Sequence, residues 1–202
     1  MTRTSKSIPI GSGYLHLIEY TGTLAALPTL IGQLGPSTRF GTTSGGATLT
    51  YTGTIHEEKD DLGTIGRVIT TEEEVKLKAG IFSWEPGMLA QTLATARVDD
   101  TDQTYKILRI GGLNNDNGKK YVIVFEHIDR QLGNLYVVIV GSNTNGLSLA
   151  FAKDNTTKLE PEFTATPQDD DGTLCSIVWP KNYTPGGNTS QTTPSDQSDQ
   201  TG

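Results

Sequence analysis

Short runs rich in Val, Ile, Tyr and Phe recur along the chain, separated by clusters of Asn, Asp and Gly. This pattern predicts β-strands joined by tight turns. Asn-Gly or Asp-Gly pairs separate the runs in three places, and these residues tolerate the positive φ values that such turns require. The pairs are Asn117-Gly118 between YKILRI and YVIVFEHI, Asn145-Gly146 between LYVVIV and LSLAFA, and Asp171-Gly172 between PEFTAT and TLCSIVW. We predict a β-hairpin at each pair.

Two of the runs are apolar at consecutive positions: YVIVF at 121–125 and LYVVIV at 135–140. Strands of this kind are covered on both faces. A small antiparallel sheet with a single helix supplies only part of that cover. The rest comes either from the interior of a well-packed sandwich or from a partner subunit, and the pattern leaves both alternatives open.

One segment departs from the β pattern. VKLKAGIF at 75–82 alternates apolar and polar residues, which predicts a strand with one buried face. It runs into SWEPGMLAQTLATAR, where Ser83 is a plausible N-cap and Pro86 falls in the first turn. Leu89, Leu93 and Ala96 follow at helical spacing, and Arg97 suits the C-terminal end of the helix dipole. We predict a helix of about 12 to 14 residues from that spacing.

The chain is therefore predicted to be mainly β (α+β), an antiparallel β-sandwich or barrel with one flanking α-helix. We place the folded domain at residues 13–180, after an N-terminal arm at 1–12. The last 19 residues contain only Thr, Pro, Gly, Asn, Ser, Gln and Asp. Such a segment offers no apolar surface to offset the entropy of ordering it, so residues 181–202 are predicted to form a flexible polar tail.

Charge and cysteine content narrow the function. Lys and Arg number 16 against 23 Asp and Glu, a formal net charge of −7, whereas proteins that read nucleic acids carry clustered basic residues. The single cysteine, Cys175, lies among apolar residues and is expected to pack in the core. No apolar stretch approaches the roughly 20 residues of a membrane helix, and no export signal is recognised. We expect a soluble, unexported protein.

Candidate catalytic and metal-binding patterns are weak. His16, His56 and His127 show none of the spacings typical of metal sites, and GTTSGGATL lacks the Lys-Ser/Thr of a phosphate-binding loop. The oxygen-rich stretch at 113–120 does not follow the EF-hand pattern, so we interpret it as a turn. We expect no catalytic residues, no cofactor, no metal site and no enzymatic activity.

The order of several motifs resembles that of the tail tube (major tail) proteins of tailed bacteriophages. The strand GGATLTY is followed by an acidic loop containing DLG, by the strand EEVKLK and by a Trp-bearing turn into a helix. Hairpins ending in an acidic Asp-Gly turn complete the order. The resemblance covers about residues 8–180 and rests on pattern and order rather than on an invariant motif.

The resemblance implies a β-sandwich or barrel with a flanking helix, assembled as hexameric rings that stack into a hollow tube. It also implies an extended loop between early strands, here residues 40–67, that contacts the adjacent ring. An acidic tube wall would repel passing DNA, whereas a basic wall would bind its phosphates. The expected contact residues are Ile55, His56, Glu57, Glu58, Lys59, Asp60, Asp61, Leu62 and Gly63.

The same resemblance implies partners and a location. The partners are further copies of this chain, a tape-measure protein, a tail-terminator protein and, in a contractile tail, a sheath. DNA is a transient, non-specific cargo, no membrane is involved, and the location is the virion tail after assembly in the host cytoplasm. The polar tail departs from the simplest family pattern and leaves the ring exterior undefined.

Two alternatives remain. One is the tube of a phage-derived bacteriocin or contractile injection system. The other is a monomeric β-sandwich binding module, which usually shows a strip of exposed aromatic residues. Trp84 and Trp179 stand beside apolar residues and near Pro, so we expect both to pack at strand ends.

Overall fold

The computed structural model describes residues 12–59, 66–83, 86–129, 133–149 and 158–181. Within these residues the chain forms nine β-strands and two α-helices. The strands are β1 (Gly13–Glu19), β2 (Arg39–Lys59), β3 (Gly66–Ile81), β4 (Arg97–Asp99), β5 (Ile107–Arg109), β6 (Tyr121–His127), β7 (Leu135–Asn143), β8 (Glu162–Thr166) and β9 (Cys175–Val178). The helices are α1 (Leu27–Gly32) and α2 (Pro86–Thr92), and Leu113–Asn115 form a 3-10 turn. Only residue 12 of the predicted N-terminal arm and residue 181 of the predicted polar tail are described.

Six antiparallel strands close into a barrel. Their order is β6-β1-β2-β3-β8-β7, and β7 pairs again with β6. One edge of β7 is shared, because its residues 140–143 pair with β8 while residues 136–139 pair with β9. Closure removes most open strand edges from this part of the molecule. The expectation of a mainly β, antiparallel fold is confirmed.

Alternate residues of the barrel strands fill its interior. Leu15, Leu77, Ile123, Ile139 and Phe163 come from five different strands and are at most 1% exposed. Burying one such side chain stabilises the fold by about 1.5 to 3 kcal/mol relative to leaving it in water. The interior cluster also includes Leu89 of α2, so this helix packs against the same core.

A second apolar cluster lies on the opposite face of β6 and β7. Val122, Val124, Val138 and Val140 pack there with Leu30 of α1. The two-sided burial predicted for these strands is confirmed, and its cover comes from this chain itself. Helix α1 was not expected, because its sequence, LPTLIG, is too short to show a helical period.

The predicted helix of 12 to 14 residues is wrong in length. Helix α2 ends at Thr92, whose hydroxyl donates to Leu89 O, while the side-chain amide of Asn143 donates to Thr92 O. These bonds use carbonyl groups of the last helical turn. Arg97, expected near the helix end, instead begins β4, because residues 97–99 pair with β5.

The predicted Gly turns exist, but two of them do not join the expected hairpins. Gly118, Gly146 and Gly172 all have positive φ, as the turn chemistry requires. However, β5 pairs with β4 instead of β6, and β8 and β9 both pair with β7 instead of with each other. Residues 147–149, the described part of LSLAFA, form no strand, and the rest of that run lies outside the described residues.

Candidate interaction surface

Strands β2 and β3 extend well beyond the barrel. β1 pairs with β2 only at residues 39–42, and β8 pairs with β3 only at 76–78. Residues 51–59 and 66–74, here named the projecting hairpin, therefore pair only with each other within the described structure. Every side chain described in it is exposed. At about 3.4 Å per residue, the hairpin reaches about 30 Å from the barrel.

The projecting hairpin occupies the region that the sequence suggested as an extended loop. Residues 55–58 pair with residues 67–70, and the backbone of Lys59 pairs with Gly66. The expected contact residues Asp60, Asp61, Leu62 and Gly63 lie outside the described residues. Much of 40–67 is thus strand rather than loop, because its many Thr residues favour extended backbone even in water. The polarity of this stretch concealed that preference.

The two faces of the projecting hairpin differ in chemistry. Directly paired residues share a face, and successive residues alternate between faces. Tyr51, Ile55 and Val68 fall on one face, here called the apolar face, and are 60%, 66% and 61% exposed. The same face also carries Glu57, Thr70 and Glu73. This apolar face continues the face of Leu49 and Leu77, which packs on the barrel interior.

The opposite face of the projecting hairpin is polar apart from Ile69. It carries residues Thr52, Thr54, Glu72 and Glu74. A bulge opposite Thr54 and Ile55 inserts one extra residue on β3 and keeps the apolar side chains on a common face. The hairpin is therefore amphipathic, with one face suited to contact with another apolar surface.

Tyr51 is held in place on the apolar face. Its hydroxyl donates to Glu73 Oε1 at 2.7 Å, and its ring lies over Gly53, where an added Cβ would meet the ring atoms. The hydrogen bond to Glu73 raises the pKa of Tyr51, with smaller contributions from desolvation and from the Glu73 charge. Tyr51 therefore remains protonated at neutral pH and presents a fixed aromatic surface.

An open cleft of about 400 Å³ lies beside the base of the projecting hairpin. Thr70, Thr71, Glu72 and Glu73 line one side, and Gly172 and Leu174 of the turn between β8 and β9 line the other. The lining is polar and acidic, whereas small-molecule sites are mostly apolar and enclosed. The cleft thus extends the exposed surface of the hairpin.

The histidines do not form a catalytic arrangement with one another. His16 is buried, with Nδ1 3.0 Å from Thr38 Oγ1 and Nε2 3.2 Å from Glu126 Oε2. Asn134 donates to the other Glu126 oxygen at 2.8 Å. Burial lowers the pKa of His16, although the hydrogen bond and charge of Glu126 oppose this effect. These contacts tie β1, β6 and the segment before β2 together.

The remaining candidate chemical groups are also engaged in structure. His56 lies in the projecting hairpin, 3.3 Å from Glu58. His127 is buried on β6 beside the ring of Phe125, and its Nε2 has no hydrogen-bond partner among the described residues. Cys175 packs against the interior cluster, and burial raises the pKa of its thiol. In the stretch at 113–120, side-chain oxygens of Asp116 and Asn117 accept backbone N–H groups, as a turn requires. Across the described ranges, no group of three or more His, Cys, Asp or Glu side chains is placed to hold a metal ion.

Comparison with known proteins adds no family assignment. No protein-family model and no curated protein matches the chain. In the part of the chain that the structure describes, no helix is long and apolar enough to cross a membrane. The exposed apolar residues of the projecting hairpin make it the strongest functional candidate on structural grounds.

Proposed function

We propose that this chain is the structural subunit of a bacteriophage tail tube. Hexameric rings of the subunit stack into the hollow conduit for DNA, and the projecting hairpin of one ring contacts the next ring. The chain acts through self-assembly and carries no catalytic site. The virion tail is its location, with tape-measure and tail-terminator proteins as its partners.

The main support is the exposed apolar face of the projecting hairpin. Tyr51, Ile55 and Val68 are in register with the barrel core yet remain uncovered in the isolated chain. A two-stranded hairpin is marginally stable at best in water and is stabilised by packing against further structure. A neighbouring subunit supplies such a surface at every step of a polymer.

The closed barrel gives further support. Because its strands pair with each other all the way round, the barrel itself offers few edges to other chains. Contacts with other copies of the chain would then involve the elements outside the barrel, such as the projecting hairpin. The acidic balance of the chain, with a net charge of −7, also suits a conduit whose cargo is a polyanion.

One observation favours a monomeric binding module instead. Trp179, expected to pack at a strand end, is 54% exposed, and Ile177 on β9 is 47% exposed. Trp84 lies outside the described residues. One tryptophan beside one isoleucine makes a small patch and not an aromatic strip, so we keep this as the second candidate.

Electron microscopy of the purified chain at high concentration tests the proposal, with sedimentation at low concentration beside it. We expect hollow rings or tubes at high concentration. A variant lacking residues 57–63 should remain folded by circular dichroism but should not stack, because the end of the projecting hairpin is removed. Tubes of normal length from the deletion variant would overturn the role of the hairpin. A parent chain that stays monomeric throughout would favour the binding module.

A further inference from the structure

Strands β4 and β5 form a second structure outside the barrel, here named the ribbon. They pair only with each other within the described structure, as Arg97 with Arg109, Val98 with Leu108 and Asp99 with Ile107. Leu108 packs against the interior cluster, so the ribbon has an inner face. Its outer face carries the two arginines together with Asp99 and Ile107.

Large apolar side chains are exposed on and beside this outer face. Tyr105 is 70% exposed, Leu113 is 92% exposed, and Ile107 and Ile110 lie between them in sequence. Leu113 stands on the 3-10 turn, whose position is held by a hydrogen bond from the Asn115 side chain to Gly111 O. The side chain of Leu113 is therefore presented by an ordered turn. These exposed apolar residues lie close together in sequence, between residues 105 and 113, and we take this segment as a candidate interaction surface.

The arginines add positive charge to the apolar surface. Arg97 and Arg109 are directly opposite on neighbouring strands, a placement in which like charges destabilise a sheet. Asp99 offsets the charge of Arg109 at 3.1 Å. Arg97 donates to Gly111 O at 3.2 Å and meets no carboxylate among the residues that the structure describes. A carboxylate from another molecule would stabilise this pair.

The acidic residues next to the ribbon are already used locally. Asp99 accepts hydrogen bonds from Thr101 and Arg109, and these bonds lower its pKa. Asp102 accepts the backbone N–H groups of Thr104 and Tyr105, which likewise lowers its pKa. Asp100 lies 4.0 Å from Lys106, so its charge is also offset locally. All three carboxylates thus have partners within this segment, and apolar side chains and the guanidinium of Arg97 remain available on the outer face.

We infer that the outer face of the ribbon, with Tyr105, Ile110 and Leu113, receives the projecting hairpin of the next copy of this chain. This inference rests on the proposed function and names the surface that the hairpin contacts. The hairpin matches the ribbon in chemistry, because it combines an apolar face with an excess of acidic residues. Those charges are Glu57, Glu58, Glu72, Glu73 and Glu74 against Lys59 and Arg67.

Charge also argues against contact between two hairpins, since each carries net negative charge and would repel the other. A hairpin-to-ribbon contact is heterologous: each copy uses one surface to bind and leaves the other for the next copy. Such a contact repeats without limit along a stack. A heterologous contact also predicts that a variant defective in the hairpin and a variant defective in the ribbon can pair with each other but cannot form a stack.

The test uses one variant for each surface and a matched control for each. Ile55→Asp alters the apolar face of the hairpin, and Thr54→Asp places the same charge on its polar face. Tyr105→Ser with Leu113→Ser alters the ribbon surface, and Ile177→Ser with Trp179→Ser removes exposed apolar groups elsewhere. Circular dichroism verifies that all four variants are folded, and sedimentation reports the size of the particles.

We expect the hairpin variant and the ribbon variant each to lose stacking, with at least a tenfold rise in the concentration needed, while both controls stack as the parent does. Mixed in equal amounts, the two defective variants should pair once and stop, because only one intact contact exists between them. The product would have twice the mass of the unit that either forms alone.

Three results would overturn this inference in different ways. Normal stacking by the ribbon variant, with loss in the hairpin variant, would place the acceptor elsewhere and leave the proposed function standing. Absence of any stacking by the parent would remove the proposed function and this inference together. Failure of the mixed variants to pair would exclude a direct hairpin-to-ribbon contact.

Discussion

Strands β2 and β3 belong to two regions of opposite character. Inside the barrel, Val75, Leu77, Ala79 and Ile81 alternate with less buried residues and are at most 4% exposed. In the projecting hairpin, Tyr51, Ile55 and Val68 continue the same alternation but are at least 60% exposed. The two regions differ in cover and also in composition, because Glu57, Thr70 and Glu73 share the face of Tyr51 in the hairpin. We propose this exposed, partly apolar face as a surface for contact with another copy of the chain.

Truncating one apolar side chain in each region should give the largest difference in the free energy of unfolding between the barrel and the projecting hairpin. Leu77→Ala should lower the free energy of unfolding by about 2 to 5 kcal/mol, because it leaves a cavity in the barrel interior. Val68→Ala removes an exposed side chain and should change that free energy by less than about 0.5 kcal/mol. Denaturant unfolding of the unassembled chain measures both. Equal losses would mean that the projecting hairpin is already part of the folded core.

Replacing one glycine by alanine in each region tests the same difference, with smaller expected changes in the free energy of unfolding. A Cβ at Gly141 would clash with the backbone oxygen of Thr164 on the neighbouring strand, so Gly141→Ala should cost about 1 to 3 kcal/mol. A Cβ at Gly53 would meet only the side chain of Tyr51, which can move. Gly53→Ala should therefore be neutral within about 0.5 kcal/mol. Thermal unfolding separates these outcomes, and a neutral Gly141→Ala would contradict the close packing of β7 on β8.

Acid should lower the stability of the barrel through His16. We expect this effect to be smaller than those of the side-chain truncations and the glycine substitutions. Because burial lowers the pKa of His16 below 6.5, the unfolded chain binds this proton more readily than the folded chain. The contribution of His16 to stability is complete above pH 6.5 and declines as the pH falls towards the lowered pKa. Glu126 and Arg39 are the charged groups that act on this histidine.

The His16→Gln variant provides the comparison for this effect. Unfolding midpoints between pH 7 and 5 should fall less steeply for the variant than for the parent. The exposed His56→Gln variant is the matched control in the projecting hairpin and should follow the parent. The lowered pKa values of Asp99, Asp102 and Asp169 act only below about pH 4, outside this range. Identical slopes for parent and His16→Gln would rule out the contribution of His16.

Strand positions, turns and exposure were predicted well where they depend on residues adjacent in sequence. The strands around Ile123 and Ile139 follow from their apolar runs, and their two-sided burial is confirmed. The turns at Gly118 and Gly172 follow from the positive φ that glycine accepts without strain. The exposure of residues 55–58 follows from their polarity, although their strand structure was missed. In each case the property depends on a few adjacent residues.

Pairing partners were predicted poorly, because strand pairing is decided by how the whole sheet assembles and not by the adjacent residues alone. The run around Ile107 was expected to pair with β6 but forms the ribbon with β4 instead. The short helix α1 and the early end of α2 at Thr92 also depend on distant contacts, including the bond from Asn143. The apolar run from Tyr105 to Ile110 does indicate strand β5 of the ribbon. Its partner strand β4, around Val98, is only three residues long and too short to show a strand pattern.

The sequence by itself determined the mainly β character, the apolar faces and the turn positions, since alternation and glycine act over a few residues. Only the tertiary structure decided that six strands close into a barrel and that β2 and β3 extend beyond it. Closure depends on which distant edges meet, and the exposure of the projecting hairpin depends on where the pairing with β1 and β8 stops. Both are properties of the whole sheet, which no local stretch of residues specifies.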